Sequence, residues 1–325
     1  LIIKKRNTPR ILHQLQSLKC RISIHHSQYT EIKKNELRRF KGFNGEKAID
    51  YYLSELPGDR YFIFHGLRLP LNDNCFQMDT LILTQYFLLI IEIKNIAGTI
   101  YFDPVFHQMI RTWGEKEEGF SDPITQAQLQ KTHLARWMVK YHLPRLPIEF
   151  FVAVSSPSTI IKTSPGDTTV PQKVCHMHQI PEKIQSMTQV YPKETITLAD
   201  RKKIEFHFTK YHTPPKIDIL KEYQIDPDEL ITGVHCPQCS AIPMKRIPGA
   251  WHCQSCGCVS NNAHIKALFD YFLIVSTTIT IEEFQRWTHL ESHKTASRLL
   301  NELNLPVSGN NRCKIFHQPI GFDDD

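Results

Sequence analysis

The sequence predicts an α/β domain, then a small cysteine-bound metal module, then a closing helical module. Three observations predict it. The first half reads helix, strand meander, helix, strand; two Cys-x-x-Cys pairs lie close together near the back; and amphipathic helices precede a strand–turn–strand at the end. A chain of 325 residues has room for two or three such cores. With 22% charged residues it is not a disordered chain. The longest apolar stretch, 86–91, ends at Glu92 and Lys94, too short to span a bilayer, so it reads as a buried strand and no membrane partner is expected.

In order, residues 1–39 read as a helical basic arm, because they lack an apolar signal core and a small-residue cleavage site. Residues 28–55 read as largely helical, interrupted at Gly42-Phe43-Asn44-Gly45. Strands follow over 60–67, 74–83, 86–95 and 98–102, and 105–113 continues them as a hairpin. Ser121 or Asp122 caps a helix with Pro123 in its first turn, running to about residue 141. Pro144 and Pro147 end that helix, and 149–155 reads as one more buried strand. The predicted domains are therefore 1–39, the arm; 40–160, the α/β domain; 161–231, its proline-punctuated completion and connector; 232–260, the cysteine module; and 261–325, the helical module.

The net charge of +6 fits a polyanionic partner, although Lys33-Lys34, Arg38-Arg39 and Arg201-Lys202-Lys203 each read singly as a solvated helix face. Five of the nine cysteines fall between Cys236 and Cys258, while Cys20, Cys75, Cys175 and Cys313 are isolated. That clustering points to metal binding in a reducing, cytoplasmic compartment rather than to a disulfide framework. Cys236-x-x-Cys239 and Cys253-x-x-Cys256 are separated by thirteen residues. Two such pairs supply four thiolates, a closed tetrahedral set for one structural Zn²⁺ in a zinc ribbon. Cys258, His235 and His252 are spare ligands, and three cysteines with His252 form the main alternative. Lys245, Arg246 and Trp251 lie where ribbon strands are expected and can touch nucleic acid, or simply pack with the charges in solvent.

Residues 263–275, 281–290 and 294–303 read as helices, and LPVSGNNRCKIFHQ as a strand–turn–strand. Together they suggest a winged-helix-like module with Lys294, Arg298, Arg312 and Lys314 toward a phosphate backbone; small three-helix units also dock proteins.

Three charged residues stand out on the apolar strands of the first half. Asp79 shares a strand face with Leu81 and Leu83, and Glu92 and Lys94 share one with Leu88 and Ile90. The short Thr84-Gln85 link makes the two strands antiparallel neighbours. Asp79 and Glu92 can hold a hard divalent cation, with the Ile93 carbonyl as a further ligand, and Lys94 can serve the water beside it. An edge Glu/Lys pair with Asp79 in a turn accounts for the same spacing.

The stretches GEKAIDYYL, FQMDTLIL, LIIEIKNIAGTIYF and DPITQAQLQ, in that order, resemble the NERD (nuclease-related) domain, a family related to the PD-(D/E)xK restriction-endonuclease-like fold. The resemblance covers roughly residues 40–157. It implies a restriction-endonuclease-like mixed sheet flanked by helices and a Mg²⁺- or Mn²⁺-dependent nuclease cutting DNA or RNA. It implies Glu46, Asp79, Glu92, Lys94 and Gln126 as site residues, Asp79 and Glu92 holding the metal. The zinc and helical modules then serve targeting. The alternative is a nucleic-acid- or protein-binding module that does not cut; the presence of Asp79, Glu92 and Lys94 together favours the enzyme.

Overall fold

The computed structural model describes residues 1–310, 314–319 and 321–322. The chain divides into two units, one made of Leu1–Asn7 and Phe40–Pro214, the other of Thr8–Arg39 and Pro215–Asp325.

The strands of the first unit are, in chain order, β1 (Ile2–Lys4), β2 (Phe62–Leu71), β3 (Asn74–Leu83), β4 (Leu88–Lys94), β5 (Thr99–Asp103), β6 (Gln108–Trp113), β7 (Lys116–Ser121), β8 (Ile148–Val154), β9 (Ile160–Thr163) and β10 (Val174–His176). Six of them form a mixed sheet in the order β1-β2-β3-β4-β8-β10, antiparallel across β2, β3 and β4 and parallel elsewhere. The helices Pro123–Lys140 and Leu198–Tyr211 cover one face through Ala127, Leu134, Trp137, Ile204 and Phe208. The helices Ile49–Ser54 and Ile180–Val190 cover the other through Ile49, Leu53, Ile180 and Ile184. β4 therefore sends Leu88 and Ile90 into one core and Leu89, Ile91 and Ile93 into the other, which is why its sequence is an unbroken apolar run.

Several expectations are corrected here. Residues 98–121 do not extend the main sheet: β5, β6 and β7 form a second sheet with β9, in the order β7-β6-β5-β9. The helix Tyr29–Lys47 runs through Gly42 and Gly45 without a break. Its closing turns are held by tertiary contacts that outweigh two glycines, among them Asn95 Nδ2 donating to the Lys41 carbonyl at 2.7 Å. Residues 1–39 are not an arm either. Ile2–Lys4 is a sheet strand, and the helix Arg10–Cys20 buries Ile11, Leu12, Leu15 and Leu18.

In the second unit, Ile11, Leu15 and Leu18 share one core with Ala267, Leu268 and Phe272 of the helix Ala263–Ile274. Arg21 and Asp270, both buried, pair within that unit at 2.8 Å. Its strands are β11 (Lys245–Ile247), β12 (Ala250–His252) and β13 (Val259–Ser260) in one antiparallel sheet, and β14 (Thr278–Thr280), β15 (Val307–Ser308) and β16 (Ile315–His317) in another, ordered β14-β16-β15. The helices Ile281–Thr288 and His293–Glu302 lie in sequence between β14 and β15. Among the described residues no helix is long and apolar enough to cross a membrane.

Candidate active site and metal centre

The front site forms where two regular ladders fail. β2 and β3 pair His65 with Thr80 and Leu67 with Met78 but skip Gly66 and Asp79. Gly66 has φ +58°, a conformation cheap only for glycine. Core residues change parity across this point: Leu81 and Leu83 on one side of Asp79, Met78 and Phe76 on the other, all reach the same core. The β3–β4 ladder also ends at Thr80 opposite Ile91. Beyond it the N–H of Ile93 donates to Asp79 Oδ2 at 2.8 Å. A side chain has replaced a strand partner, and Asp79 is fixed against β4.

Glu92 and Lys94 project from β4 toward the helix Pro123–Lys140. Asp122 caps that helix by accepting from the N–H groups of Ile124 and Thr125, with Pro123 in the first turn. Gln126 and Gln130, one turn apart, then face the strand. Lys94 Nζ donates to Glu92 Oε1 at 2.7 Å and to Gln126 Oε1 at 2.9 Å. Gln130 Nε2 donates to Glu92 Oε2 at 2.8 Å. The Glu92 side chain is buried and Lys94 is partly open to solvent.

Glu46 arrives from the helix Tyr29–Lys47. A Cβ on the preceding Gly45 would lie 2.3 Å from Asn95 Cβ, so only glycine lets this helix approach the end of β4 so closely. Glu46 lies within electrostatic reach of Glu92 and Asp79. Burial, and then the facing carboxylates of Glu92 and Glu46, hold the Asp79 carboxyl well above the usual carboxylate range, against the Ile93 N–H and Lys94. Burial also raises Glu46; Arg6 opposes the rise and Glu92 adds to it.

The front residues have the charge and donor type a divalent cation takes, but Glu46, Asp79 and Glu92 do not close into one ligand group as the rear cysteines do. Glu46, Asp79 and Glu92 bring three negative charges, Arg6 and Lys94 two positive ones, and the carboxylates repel one another. Oxygen donors in that balance suit a hard cation. Gln130 Oε1, buried with no donor among the described residues, adds one more acceptor.

The rear cysteines behave as a set. Cys236, Cys239, Cys253 and Cys256 place their Sγ atoms within 4.8 Å of one another, the one group of three or more metal-ligating side chains among the described residues. Cys236 and Cys256 are 3.6 Å apart, Cys239 and Cys253 3.5 Å. A zinc–thiolate tetrahedron has edges of about 3.8 Å, so the donors fit that ion. The two knuckles repeat one turn: Ser240 N–H bonds the Cys236 carbonyl and Gly257 N–H the Cys253 carbonyl, at 3.0 and 2.9 Å, both residues at positive φ. The expected stand-ins are not in the group. His252 is a β12 strand residue opposite Lys245, His235 lies 3.7 Å from Asp270, and Cys258 Sγ reaches the Val259 carbonyl.

Residues 41–155 match the family described as nuclease-related domain. That stretch is similar to a nuclease-related domain. The chain is also similar to an uncharacterized protein of Bacillus anthracis, pXO1-01, with 22% identity over 121 residues, 37% of this chain and 57% of that protein. It thus spans little more than half the length of that relative. No solved structure matches the chain.

Within the matched stretch the five expected positions fall out unequally. Asp79, Glu92, Lys94 and Gln126 are joined by the bonds above or through Ile93; Glu46 meets them through charge and is bonded to Arg6 at 2.9 Å. Arg6 was not legible in the sequence, since nothing local marks one arginine among Lys4, Lys5 and Arg6 as buried. In the second unit the residues expected to touch nucleic acid are scattered. Lys294 and Lys245 are exposed; Arg298 is held by Glu302 at 2.8 Å, and Lys314 donates to Asn301. Arg246 lies over the fully buried Trp251, 5.1 Å from its ring centroid, so this Trp offers no stacking surface. Arg312 lies outside the described residues.

Proposed function

We propose that the chain is a metal-dependent nuclease whose site is Glu46, Asp79, Glu92, Lys94 and Gln126. The observation that carries the reading is the chain of bonds from Gln126 through Lys94 and Glu92 to Gln130, set beside Asp79 at the break in the sheet. Asp79 and Glu92 would hold Mg²⁺ or Mn²⁺, which supplies polarisation of a phosphodiester and a more acidic water. Lys94 is kept in place by two acceptors. Its ammonium neutralises charge developing on the phosphate and orients the attacking water. Gln126 and Gln130 fix Lys94 and Glu92 without adding charge. Burial raises the pKa of Asp79 and Glu46 in the cation-free site, and a bound cation would lower both.

The second unit serves targeting. A structural Zn²⁺ on the four cysteines forms a zinc ribbon with β11, β12 and β13. The order β14-β16-β15 with the two helices between β14 and β15 supports a winged-helix-like module. Exposed Lys294 of this module and Lys245 of the ribbon would face a phosphate backbone. The test is to incubate the full chain with labelled single- and double-stranded DNA and RNA, with Mg²⁺, Mn²⁺ or EDTA. Divalent-dependent cleavage of any of these supports the reading. Binding without cleavage under every condition would replace it with a non-cutting nucleic-acid-binding protein.

A further inference from the structure

We propose that Arg6, which lies outside the matched domain, is a positioning residue of this site, clamping the Glu46 side chain and the Asp79 backbone together. The inference rests on the nuclease reading. Residues Leu1–Asn7 belong to the first unit although 32 residues, Thr8–Arg39, separate them from its remainder. β1 joins the sheet edge beside β2, pairing Ile2 with Ile63 and Lys4 with Phe64, and so delivers Arg6 behind Asp79.

The guanidinium is almost wholly buried and every donor is spent. Nη1 bonds Glu46 Oε2 at 2.9 Å and the Asp79 carbonyl at 3.4 Å. Nε bonds Asp50 Oδ1 at 3.3 Å. Nη2 bonds His65 Nδ1 at 2.8 Å and Thr80 Oγ1 at 3.0 Å. A guanidinium has five N–H groups and no acceptor, so these five contacts exhaust it. They also require His65 Nδ1 to accept, leaving that imidazole neutral.

Two consequences follow. Arg6 has no donor left for a substrate phosphate, so it does not act as a phosphate clamp. Its bonds reach the Glu46 carboxylate and the backbone of Asp79 at the residue where both strand ladders fail. No ladder bond among the described residues fixes that backbone against Glu46. Arg6 therefore acts on the reaction through these two groups.

The test uses the full chain and a double-mutant cycle. Arg6→Gln, assayed well below its own thermal midpoint, is expected to lower kcat at least tenfold with KM within about twofold, since substrate binding is untouched. Arg6→Lys, which keeps the charge and three donors, recovers part of the loss. Arg6→Gln with Glu46→Gln loses clearly less than the product of the two single losses, because part of the effect of Arg6 runs through Glu46 and part through the Asp79 backbone. A merely structural arginine gives additive losses, no kcat effect in the folded fraction, or both, and overturns the inference. A raised KM at unchanged kcat makes Arg6 a substrate contact and overturns it too. A wild-type chain that cuts nothing overturns the nuclease reading itself, and this inference with it.

Discussion

Asp79 and Glu46 both hold their protons above the usual carboxylate range, chiefly through burial. A carboxyl whose pKa is raised by folding contributes stability that is present below its unfolded value, near 4, and lost as pH rises through the folded value. In EDTA the first unit should therefore lose stability on this account as pH goes from mildly acid to alkaline. Asp79→Asn removes the titrating charge and keeps an oxygen for the Ile93 N–H. Its thermal midpoint in EDTA should exceed wild type by a few degrees at pH 8, with the gain shrinking toward pH 5. A gain that is flat or grows on acidification contradicts the electrostatic reading. The opposite case is His65, which burial and the charges of Arg6 and Lys4 drive down to about 3, so it stays neutral over the same range. At this scale the strand residues were legible because charge on an apolar strand is conspicuous. Arg6 was not, because its role depends on five partners brought together only by folding.

Among the elements, the helix Tyr29–Lys47 shows most clearly where propensity misleads. Two glycines and an asparagine argue for a break, yet Gly45 is there to admit Asn95. Gly→Ala in a helix ordinarily gains about 0.5–1 kcal/mol. A Cβ 2.3 Å from another Cβ costs about 1–3 kcal/mol of overpacking, so the clash wins. Gly45→Ala should lower the thermal midpoint and reduce cleavage by displacing Glu46; a more stable, fully active variant would contradict the packing argument. β3 was legible to the residue, because its turn and alternation are both local. The face switch at Gly66 and Asp79 was not, since it rests on a positive φ that the sequence pattern does not announce. The cysteine knuckles were legible from spacing alone. Cys236 and Cys253 belong to the core of the second unit together with Trp251 and Leu268. Elemental analysis should find about one zinc per chain, and Cys253→Ser should lose it and destabilise that unit, since structural zinc contributes on the order of 10 kcal/mol of apparent binding. Zinc-free native protein of full stability would contradict the site.

At the level of the whole molecule, both units are assembled from separated pieces of chain, which is why the boundaries read along the sequence miss them. The expected completion of the first unit beyond residue 160 runs to Pro214, whereas the joining of residues 1–7 to that unit and of 8–39 to the second was not legible. Long-range assembly of this kind leaves no local signature in composition or periodicity. The targeting role makes a distinct claim. Reversing the charge of Lys294 and Lys245 should weaken binding of an oligonucleotide in EDTA. The slope of log affinity against log salt should also fall by about one for each phosphate no longer neutralised. Unchanged affinity and slope would make the second unit a protein-docking module. The central claim is that Glu92 binds the cation while Lys94 serves the reacting phosphate. Measuring Mn²⁺ binding and oligonucleotide cleavage side by side in Glu92→Gln and Lys94→Ala tests it most directly. Glu92→Gln should lose both. Lys94→Ala should bind Mn²⁺ within a few-fold of wild type yet cut at least a hundredfold more slowly, a loss of about 2.7 kcal/mol in transition-state stabilisation. Cleavage at the wild-type rate by both variants would contradict the account.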